Sequence, residues 1–330
     1  MSRQWRQRMT DNRHTRLRKS AAQILSACPS LPEFPPSQPT TNRRTVIAND
    51  NRDADGMPQS PLWEQHARQW SWVKPPLRPG AEDLVWIQEV LNRWPPPPDP
   101  GPTALILGVT PELTTLNWPA GSQVVASDLS RAMIRGVWPT DRMPGIGKGA
   151  FQADWFALPL GDQSCDLVCG DCPLVVLRGA QAAPLVRSVR RVLKVGGTFV
   201  LRVFVRPEMD ERPEGVWEHL MARRIGNFHV FKFRLLMSLR RDRGEVRVAD
   251  AWDFFESRCP SVETLARHLG WPVEEVQTIQ AYRGQAAIYW YPTVAEFRAL
   301  ATSGFEETAC LWPTYEMGDR CPTFVLRRRG

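Results

Sequence analysis

Short apolar runs, each followed by a small or an acidic residue, recur through the middle of the chain and alternate with helical patterns. The first two runs, TALILG and QVVASD, end at Gly108 and Asp128. Their length and composition are typical of buried parallel strands. Strand and helix patterns that alternate in this way predict a parallel sheet with helices on both faces. Ligands of such sheets bind at the carboxyl ends of the strands, where these residues stand.

Three further apolar runs continue the alternation. The third ends in Gln152-Ala153-Asp154-Trp155, the fourth is Cys165–Asp171, and the fifth is TFVLRVFV. A helical pattern over 181–193 precedes the fifth run, and Lys194–Gly197 predicts the turn between them. Thr110-Pro111-Glu112, directly after the first run, has the residue types of a helix start, so we expect a helix there.

The spacing between the first two strand ends predicts a nucleotide-type ligand. Asp128 follows Gly108 by 20 residues and closes the second run. A carboxylate at this offset accepts hydrogen bonds from ribose hydroxyls in α/β nucleotide-binding folds. The same edge of the sheet is expected to carry Asp154 and Asp171, since each follows a strand.

These residues resemble the class I S-adenosylmethionine-dependent methyltransferases over residues 80–206 and again over 291–330. RVLKVGGTFVLRV is similar to the family's turn into its fifth strand, and YPTVAEFRALATSGFEE with CPTFVLRRR is similar to its last helix and closing strands. The resemblance implies a doubly wound, seven-stranded, mostly parallel α/β sheet with its last strand antiparallel. It also implies S-adenosylmethionine as cofactor.

In that family the loop after the first strand approaches the methionine part of the cofactor, and acidic or polar residues after the next three strands contact ribose, adenine and the region of the methyl group. Carried onto this sequence, the resemblance implies a set of cofactor contacts at the strand ends and in the segments beside them. These are Arg78, Gly108, Val109, Thr110, Glu112, Asp128, Leu129, Met133, Asp154, Trp155, Gly170 and Asp171.

The first motif departs from the family pattern. Ile106, Thr110 and Glu112 stand where the family usually has an acidic residue and two further glycines. We therefore expect Glu112 or an upstream residue to take the ammonium of the cofactor's amino-acid part, and Arg78 to reach its carboxylate as a bidentate partner.

An insertion over 207–290 separates the fifth strand from the last helix. Its amphipathic, helical patterns predict a helical lid over the cofactor, which would exclude water and shape the substrate pocket. We name three candidates for a catalytic base: Asp171, His219 and Tyr282. His229 is a further histidine in the insertion, and aromatic and polar side chains there are candidates for substrate contacts: Phe228, Phe231, Tyr282, Arg283 and Tyr289.

The full chain divides into five predicted parts. Residues 1–60 form a basic, Pro-rich, disordered extension. Three explanations stay open for it: a transit peptide, a basic arm for RNA or an acidic surface, or an artefact of the start site with Met57 as the true start. Four further parts follow it: 61–100 (N-terminal helices capping the cofactor site), 101–206 (cofactor-binding core), 207–290 (insertion) and 291–330 (last helix and closing hairpin).

Composition excludes several classes of protein. With 42% hydrophobic and 23% charged residues, the chain reads as globular, and no apolar run is long enough to span a membrane. Seven cysteines are few and odd in number, which favours a reduced, cytoplasmic compartment. Cys165, Cys169 and Cys172 have the C-x3-C-x2-C spacing of an iron–sulfur site. Strand alternation instead sends Cys165 and Cys169 into the core on the face of Leu167, so we expect no metal.

Charge favours a small-molecule acceptor over the alternatives. Residues 1–56 carry a net charge of +5 and residues 57–330 only +2, so the folded part offers little attraction to nucleic acid. The sequence therefore predicts methyl transfer to an O, N or C atom of a small molecule. Two alternatives stay open: an RNA or protein methyltransferase that uses residues 1–56 with Arg223 and Arg224, or with Arg240, Arg241 and Arg243, and a non-catalytic relative that binds a partner protein. The oligomeric state is not indicated.

Overall fold

The computed structural model describes residues 60–93, 101–139 and 147–330. Apart from Ser60, the predicted extension lies outside the described residues, as does the proline run at 95–98. Ten α-helices occur in the described part: α1 (Ser60–Arg68), α2 (Ala81–Asn92), α3 (Arg131–Val137), α4 (Gly179–Val192), α5 (Pro213–Met221), α6 (Phe228–Ser238), α7 (Val248–Arg258), α8 (Val262–Leu269), α9 (Val273–Gln277) and α10 (Val294–Ala301).

Nine strands accompany these helices in the same described ranges. They are β1 (Thr103–Leu107), β2 (Gln123–Asp128), β3 (Gly147–Gln152), β4 (Cys165–Asp171), β5 (Leu193–Arg202), β6 (Glu245–Arg247), β7 (Ile288–Trp290), β8 (Phe305–Leu311) and β9 (Thr323–Arg328). Seven of them form one sheet in the order β3-β2-β1-β4-β5-β9-β8, while β6 and β7 pair separately. Strands β1 to β5 pair in parallel, and β9 is antiparallel to both neighbours. The predicted seven-stranded class I architecture is confirmed.

Burial on both faces explains why the central strands read as continuous apolar runs. In β1 and β4 nearly every side chain is buried, as expected for parallel strands covered by helices on each side. One apolar cluster joins β1, β4 and β5 to α4 and α10. A second joins the other face of β1, β2 and β4 to α2 and α3. The sheet is thus the middle layer of three.

The prediction of a helix after β1 is wrong, because only a short 3-10 turn, Pro111–Thr115, forms there. The hydroxyls of Thr114 and Thr115 donate to the carbonyl oxygens of Pro111 and Glu112, each at 2.7 Å. Side-chain bonds of this kind compete with helix propagation. Pro119 then follows before β2, so the connection has no room for a full helix.

The turn predicted at Lys194–Gly197 is also wrong, because these residues belong to β5. The pairing of β4 with β5 moves from Cys165 opposite Leu193 to Leu167 opposite Thr198, which marks an irregularity in the ladder. Gly196 has φ 77° within this stretch, a conformation that glycine adopts at little cost. The chain therefore bulges and continues as a strand instead of turning.

Five α-helices, α5 to α9, follow one another between β5 and β7. They enclose a third apolar cluster, which includes most of α6. Helix α6 is buried around its circumference, with even Lys232 and His229 inaccessible. The amphipathic pattern predicted for this helix is therefore wrong. Ser261 caps the start of α8, and Gly270 ends it in a left-handed conformation.

The three closely spaced cysteines are buried in three different places. Cys165, Cys169 and Cys172 each pack in a separate apolar cluster. The expectation that Cys165 and Cys169 share one face with Leu167 is wrong for Cys165, which lies at the irregular end of the β4–β5 ladder.

Among the described helices, none has the length and apolar character needed to cross a membrane.

Candidate functional site

A cavity of about 500 Å³ opens at the carboxyl ends of β1, β2 and β4. We call one part of it the strand-end half, whose walls follow the strands. It is lined by Gly108, Val109, Thr110, Asp128, Leu129, Ser130, Met133, Asp154, Trp155 and Phe156. We call the other part the aromatic half, whose residues belong to or pack against the third apolar cluster. It is lined by Leu77, Cys172, Val175, Val176, Phe204, Phe233, Tyr282 and Tyr289.

The cavity brings together nine of the twelve residues predicted to contact the cofactor. Eight of them lie in the strand-end half, and Asp171 also lines the cavity. Gly170, Arg78 and Glu112 are not among the lining residues. Gly170 is packed so tightly that an added Cβ would come within 2.9 Å of Leu201 and Pro173. Its small size therefore serves packing between β4 and β5.

Asp128 is the most perturbed carboxyl of the strand-end half. It ends β2, and the Ser130 amide donates to its Oδ1 at 2.7 Å. Burial raises the pKa of Asp128 to about 6, against the lowering effect of the amides of Ser130, Val109 and Leu129. A carboxylate that is costly to bury gains most from further hydrogen-bond donors. The position thus suits a ligand with hydroxyl groups.

Gly108 leaves the space above Asp128 open. Its φ is 85°, the left-handed region that favours glycine. An added Cβ would stand 3.8 Å from Asp128 Oδ2 and 3.7 Å from Trp155 Cζ2. A side chain at this position would therefore fill the space between the carboxylate and the indole, which a ligand needs.

Trp155 is held in place by the backbone of β2. Its indole nitrogen donates to the carbonyl of Ser127 at 2.8 Å. Asp154 begins the 3-10 turn Trp155–Ala157, and its Oδ1 accepts from the Phe156 amide at 2.9 Å. The turn presents an acidic side chain and an indole together at the end of β3, as the sequence predicts.

Arg78 and Glu112 form an ion pair with each other behind the cavity wall. The Arg78 guanidinium stacks 5.0 Å from the Trp70 ring centroid and donates to the carbonyls of Trp70 and Val73, each at 3.3 Å. Burial raises the pKa of Glu112. Its Oε2 is buried and has no hydrogen-bond partner in the described part of the chain. One unused acceptor thus lies next to the cavity, since Trp70, Val73 and Thr110 line it.

Arg202 at the end of β5 holds Asp171. The guanidinium is 2% exposed, and its Nε donates to Asp171 Oδ1 at 2.5 Å. Its other nitrogens donate to the Tyr315 hydroxyl at 3.0 Å and to the Pro76 carbonyl at 2.7 Å. The Tyr315 hydroxyl in turn donates to Asp83, which begins α2. Asp171 is thus held in the cavity wall with its Oδ1 engaged by a buried arginine.

The other two predicted bases lie in different surroundings. His219 is not among the residues that line the cavity, and its Nδ1 lies 2.8 Å from Arg234 Nη2. Tyr282 does line the cavity and is buried. Burial raises its pKa well above the usual value, so its hydroxyl stays neutral and can only donate or accept hydrogen bonds. The geometry thus retains Tyr282 as a contact residue and gives His219 no place at the cavity.

Candidate substrate contacts in the insertion divide in the same way. Tyr289 lines the cavity together with Tyr282. Phe228 and Phe231 are fully buried in the third cluster and not part of the lining, while Arg283 is exposed. His229 is buried, and its Nε2 lies 2.8 Å from the carbonyl oxygen of Trp72.

The sequence reasoning missed several cavity residues, among them His66 of α1, Phe204 after β5 and Phe233 of α6. Arg202 escaped it too, although an arginine inside the apolar run LRVFV is a signal for a buried charge pair. His66 is buried, and its ring centroid lies 6.1 Å from that of Tyr282. No local pattern marks its place at the cavity, because Tyr282 lies 216 residues further along the chain.

The arginines named for the alternative of an RNA or protein methyltransferase are partly engaged by carboxylates. Arg240 pairs with Asp210, and Arg241 lies 3.4 Å from Asp250. Arg223 and Arg224 are exposed on the turn after α5.

Comparisons with known proteins show which family part of the chain matches. Residues 105–201 match the model of a methyltransferase domain. A search of curated proteins finds no match. The chain is similar to the structure of S-adenosylmethionine-dependent methyltransferases from Methanosarcina mazei, with 16% identity over 73% of this chain and 97% of that one, at a TM-score of 0.43.

Two further structures illustrate the range of similar folds. One is a putative Zn-dependent alcohol dehydrogenase from Rhodobacter sphaeroides, with 14% identity over 81% of this chain and 98% of that one, at a TM-score of 0.48. The other is the 1,6-didemethyltoxoflavin N1-methyltransferase of Burkholderia thailandensis with 1,6-didemethyltoxoflavin and S-adenosylhomocysteine bound, with 11% identity over 82% and 85%, at a TM-score of 0.46. Residues 105–201 thus match a methyltransferase domain, and the sheet order around them is that of the class I methyltransferase fold, a family whose cofactor is S-adenosylmethionine.

Proposed function

We propose that this protein transfers the methyl group of S-adenosylmethionine to an O, N or C atom of a small-molecule acceptor. The observation that carries the proposal is a single cavity with two chemically different halves. The strand-end half carries carboxylates and an open glycine, while the aromatic half is apolar. A nucleotide-type cofactor suits the first half, and an organic acceptor suits the second.

Three residues of the strand-end half would hold the nucleoside part of the cofactor. Asp128 offers a buried carboxylate to the ribose hydroxyls, which would replace part of its lost hydration. Asp154 and Trp155 offer a hydrogen-bond acceptor and an aromatic face for the adenine. Gly108 keeps the space between them free. The residues present therefore fit the cofactor that the family uses.

The Arg78–Glu112 pair would receive the amino-acid part of the cofactor. Its zwitterion presents an ammonium and a carboxylate, which match the charges of the pair. Glu112 Oε2, buried without a partner in the described residues, is the acceptor for the ammonium. Arg78 is the partner for the carboxylate, as the sequence predicts. A zwitterion that spans both groups would leave neither charge unpaired.

When bound, S-adenosylmethionine supplies an electrophilic methyl group on a sulfonium ion. The protein's own contribution is orientation and exclusion of water, which account for much of the rate in such transfers. Arg202 fixes Asp171 at the wall between the two halves. The buried rings of Phe204, Phe233 and Tyr282 keep the aromatic half dry.

Calorimetric titration of the full chain with S-adenosylhomocysteine tests the proposal. We expect binding at roughly micromolar affinity, and Asp128→Ala should weaken it by about 30-fold, which corresponds to about 2 kcal/mol. Asp253→Ala is the matched control, because it removes a carboxylate that is 60% exposed on α7. A folded wild-type protein that shows no binding would refute the proposal and favour the relative that binds a partner protein without catalysis.

A further inference from the structure

The aromatic rings that line the aromatic half of the cavity come from elements outside the matched methyltransferase domain, residues 105–201. Phe233 comes from α6, Tyr282 ends the 3-10 turn after α9, and Tyr289 lies in β7. Phe204 follows β5 and stacks against Phe233 with ring centroids 4.3 Å apart. This half is therefore a feature of this chain's own helical segment, and its chemistry reports on the acceptor.

Aromatic rings face one another around this half of the cavity. The rings of Tyr282 and Tyr289 lie edge to face, with centroids 6.3 Å apart. His66 meets Tyr282 edge to face at 6.1 Å, and Trp63 lies 5.3 Å from His66. Leu77, Val175 and Val176 complete the wall. Such walls favour a flat ring, because stacked and edge-to-face contacts add to the energy of apolar burial.

Three ionisable groups that line the cavity near this half are paired or neutral. Asp171 is paired with Arg202. Burial, with a smaller effect of the Lys232 cation, lowers the pKa of His66 to about 3, so this imidazole is neutral at physiological pH. Burial likewise raises the pKa of Tyr289 well above its usual value.

Lys232 lies close to this half of the cavity, but its amine is not available there as a counter-charge for a ligand. Its Nζ donates to Thr278 Oγ1 at 2.9 Å and lies 5.5 Å from the centroid of the Tyr282 ring. It is not among the residues that line the cavity. Glu275, the nearest carboxylate that acts on it, forms an ion pair with Lys74 at 2.6 Å. An anionic acceptor would therefore meet no available counter-charge in this half.

We propose that the acceptor is an uncharged aromatic small molecule that carries one hydroxyl or amino group, bound in the aromatic half. This inference rests on the proposed function and narrows it. The apolar walls hold the ring, while His66, Tyr282 and Tyr289 are the neutral hydrogen-bonding groups that face the cavity. Carboxylates, phosphates and nucleic acids are disfavoured, because burying their charge here without a partner is costly.

Three bicyclic probes of similar size test separately whether the acceptor must be uncharged and whether it must be aromatic. We would titrate the full chain, saturated with S-adenosylhomocysteine, with 2-naphthol, with 2-naphthoate and with decahydro-2-naphthol. We expect 2-naphthol to bind at least about tenfold more tightly than the anion 2-naphthoate, because the anion is buried without a partner. We also expect it to bind about threefold more tightly than its saturated analogue, because the analogue loses ring–ring contacts.

Variants assign the probe to this half of the cavity. Phe233→Ala should weaken 2-naphthol binding by about tenfold or more and leave the affinity for S-adenosylhomocysteine within about twofold. Phe233→Leu keeps more of the buried volume, so it serves if the alanine variant does not fold, and should give a smaller loss in the same direction. Phe254→Ala, which removes a partly buried ring of α7 that does not line the cavity, is the control and should change neither affinity.

The outcomes distinguish this inference from the proposed function. Equal or tighter binding of 2-naphthoate, or equal binding of the saturated alcohol, would overturn the acceptor class. Binding of S-adenosylhomocysteine with no binding of 2-naphthol would overturn it too, while the proposed function stands. Loss of S-adenosylhomocysteine binding itself would overturn both.

Discussion

The two halves of the cavity are made in different ways. In the strand-end half, Gly108, Asp128 and Asp154 stand directly after β1, β2 and β3, so the sheet itself brings them together. In the aromatic half, His66 and Tyr282 are far apart in the sequence and meet only through packing of helices. The first half is a property of the topology, and the second is a property of one particular core. The residues of the strand-end half are therefore readable from local patterns, whereas those of the aromatic half are not.

Removal of Arg202 should have the largest effect, because this residue supports the wall between the two halves. Arg202→Met leaves Asp171 and Asp83 without their buried counter-charge. We expect a loss of about 3–5 kcal/mol in the free energy of unfolding, measured by denaturant titration. Arg247→Met is the control, since its partners and its own side chain are partly exposed, and it should cost less than about 1 kcal/mol. Equal losses for the two variants would contradict a supporting role for Arg202.

Lys232 tests the aromatic half through the pH dependence of stability. Burial lowers the pKa of Lys232 to about 7 in the folded state, from a reference value of 10.5. Between these two values the unfolded state binds more protons, so stability should rise with pH, and at lower pH the folded state carries the cost of a buried cation. The shift corresponds to about 2–3 kcal/mol between roughly pH 6.5 and pH 9.

Lys232→Met should remove this component of the pH dependence. The difference in unfolding free energy between variant and wild type would then be most favourable to the variant near pH 6.5 and shrink toward pH 9. Lys194→Met, which alters a lysine that is 47% exposed, should leave the pH profile unchanged. A wild-type profile that Lys232→Met does not alter would show that this amine is protonated equally in both states.

Replacement of Asp128 tests the strand-end half, because it should have opposite effects on the stability of the ligand-free protein and on ligand binding. Its folded pKa is raised to about 6 from 3.8, so its charge at neutral pH destabilises the ligand-free protein. Asp128→Asn should therefore stabilise the ligand-free protein by about 1–3 kcal/mol at pH 7 while weakening the binding of S-adenosylhomocysteine. Thermal unfolding with and without the ligand measures both effects. A variant that is less stable and binds normally would remove Asp128 from the site.

The pH dependence of binding gives the smallest effect. A protonated carboxyl is a weaker acceptor for ribose hydroxyls, so affinity for S-adenosylhomocysteine should fall as the pH drops through about 6. Between about pH 7 and pH 5 we expect a loss of up to roughly tenfold by calorimetry. Asp128→Asn should be weaker at pH 7 and show no such decline. A similar decline in the variant would assign the titration to another group.

The errors in sequence-based prediction have physical causes. The helix expected after β1 failed because the hydroxyls of Thr114 and Thr115 bond back to the chain. The strands β1 to β5 and most residues of the strand-end half were predictable, since the length and composition of apolar runs are local signals, while the sheet architecture followed from the family resemblance. The burial of α6 was not, because its polar residues Lys232 and His229 find partners in Thr278 and Trp72. Nothing in the local sequence marks those partners.

The hydrogen bonds of Arg202 show that the matched region, residues 105–201, depends on the rest of the chain. One side chain at the end of β5 reaches the Pro76 carbonyl and, through Tyr315, the first turn of α2. A fragment cut at the limits of the matched region, 105–201, would exclude this arginine and all of those partners. It would also expose the face of the sheet that α2 covers. Transplantation or dissection of the catalytic unit should therefore keep the stretch from α1 to β9 whole.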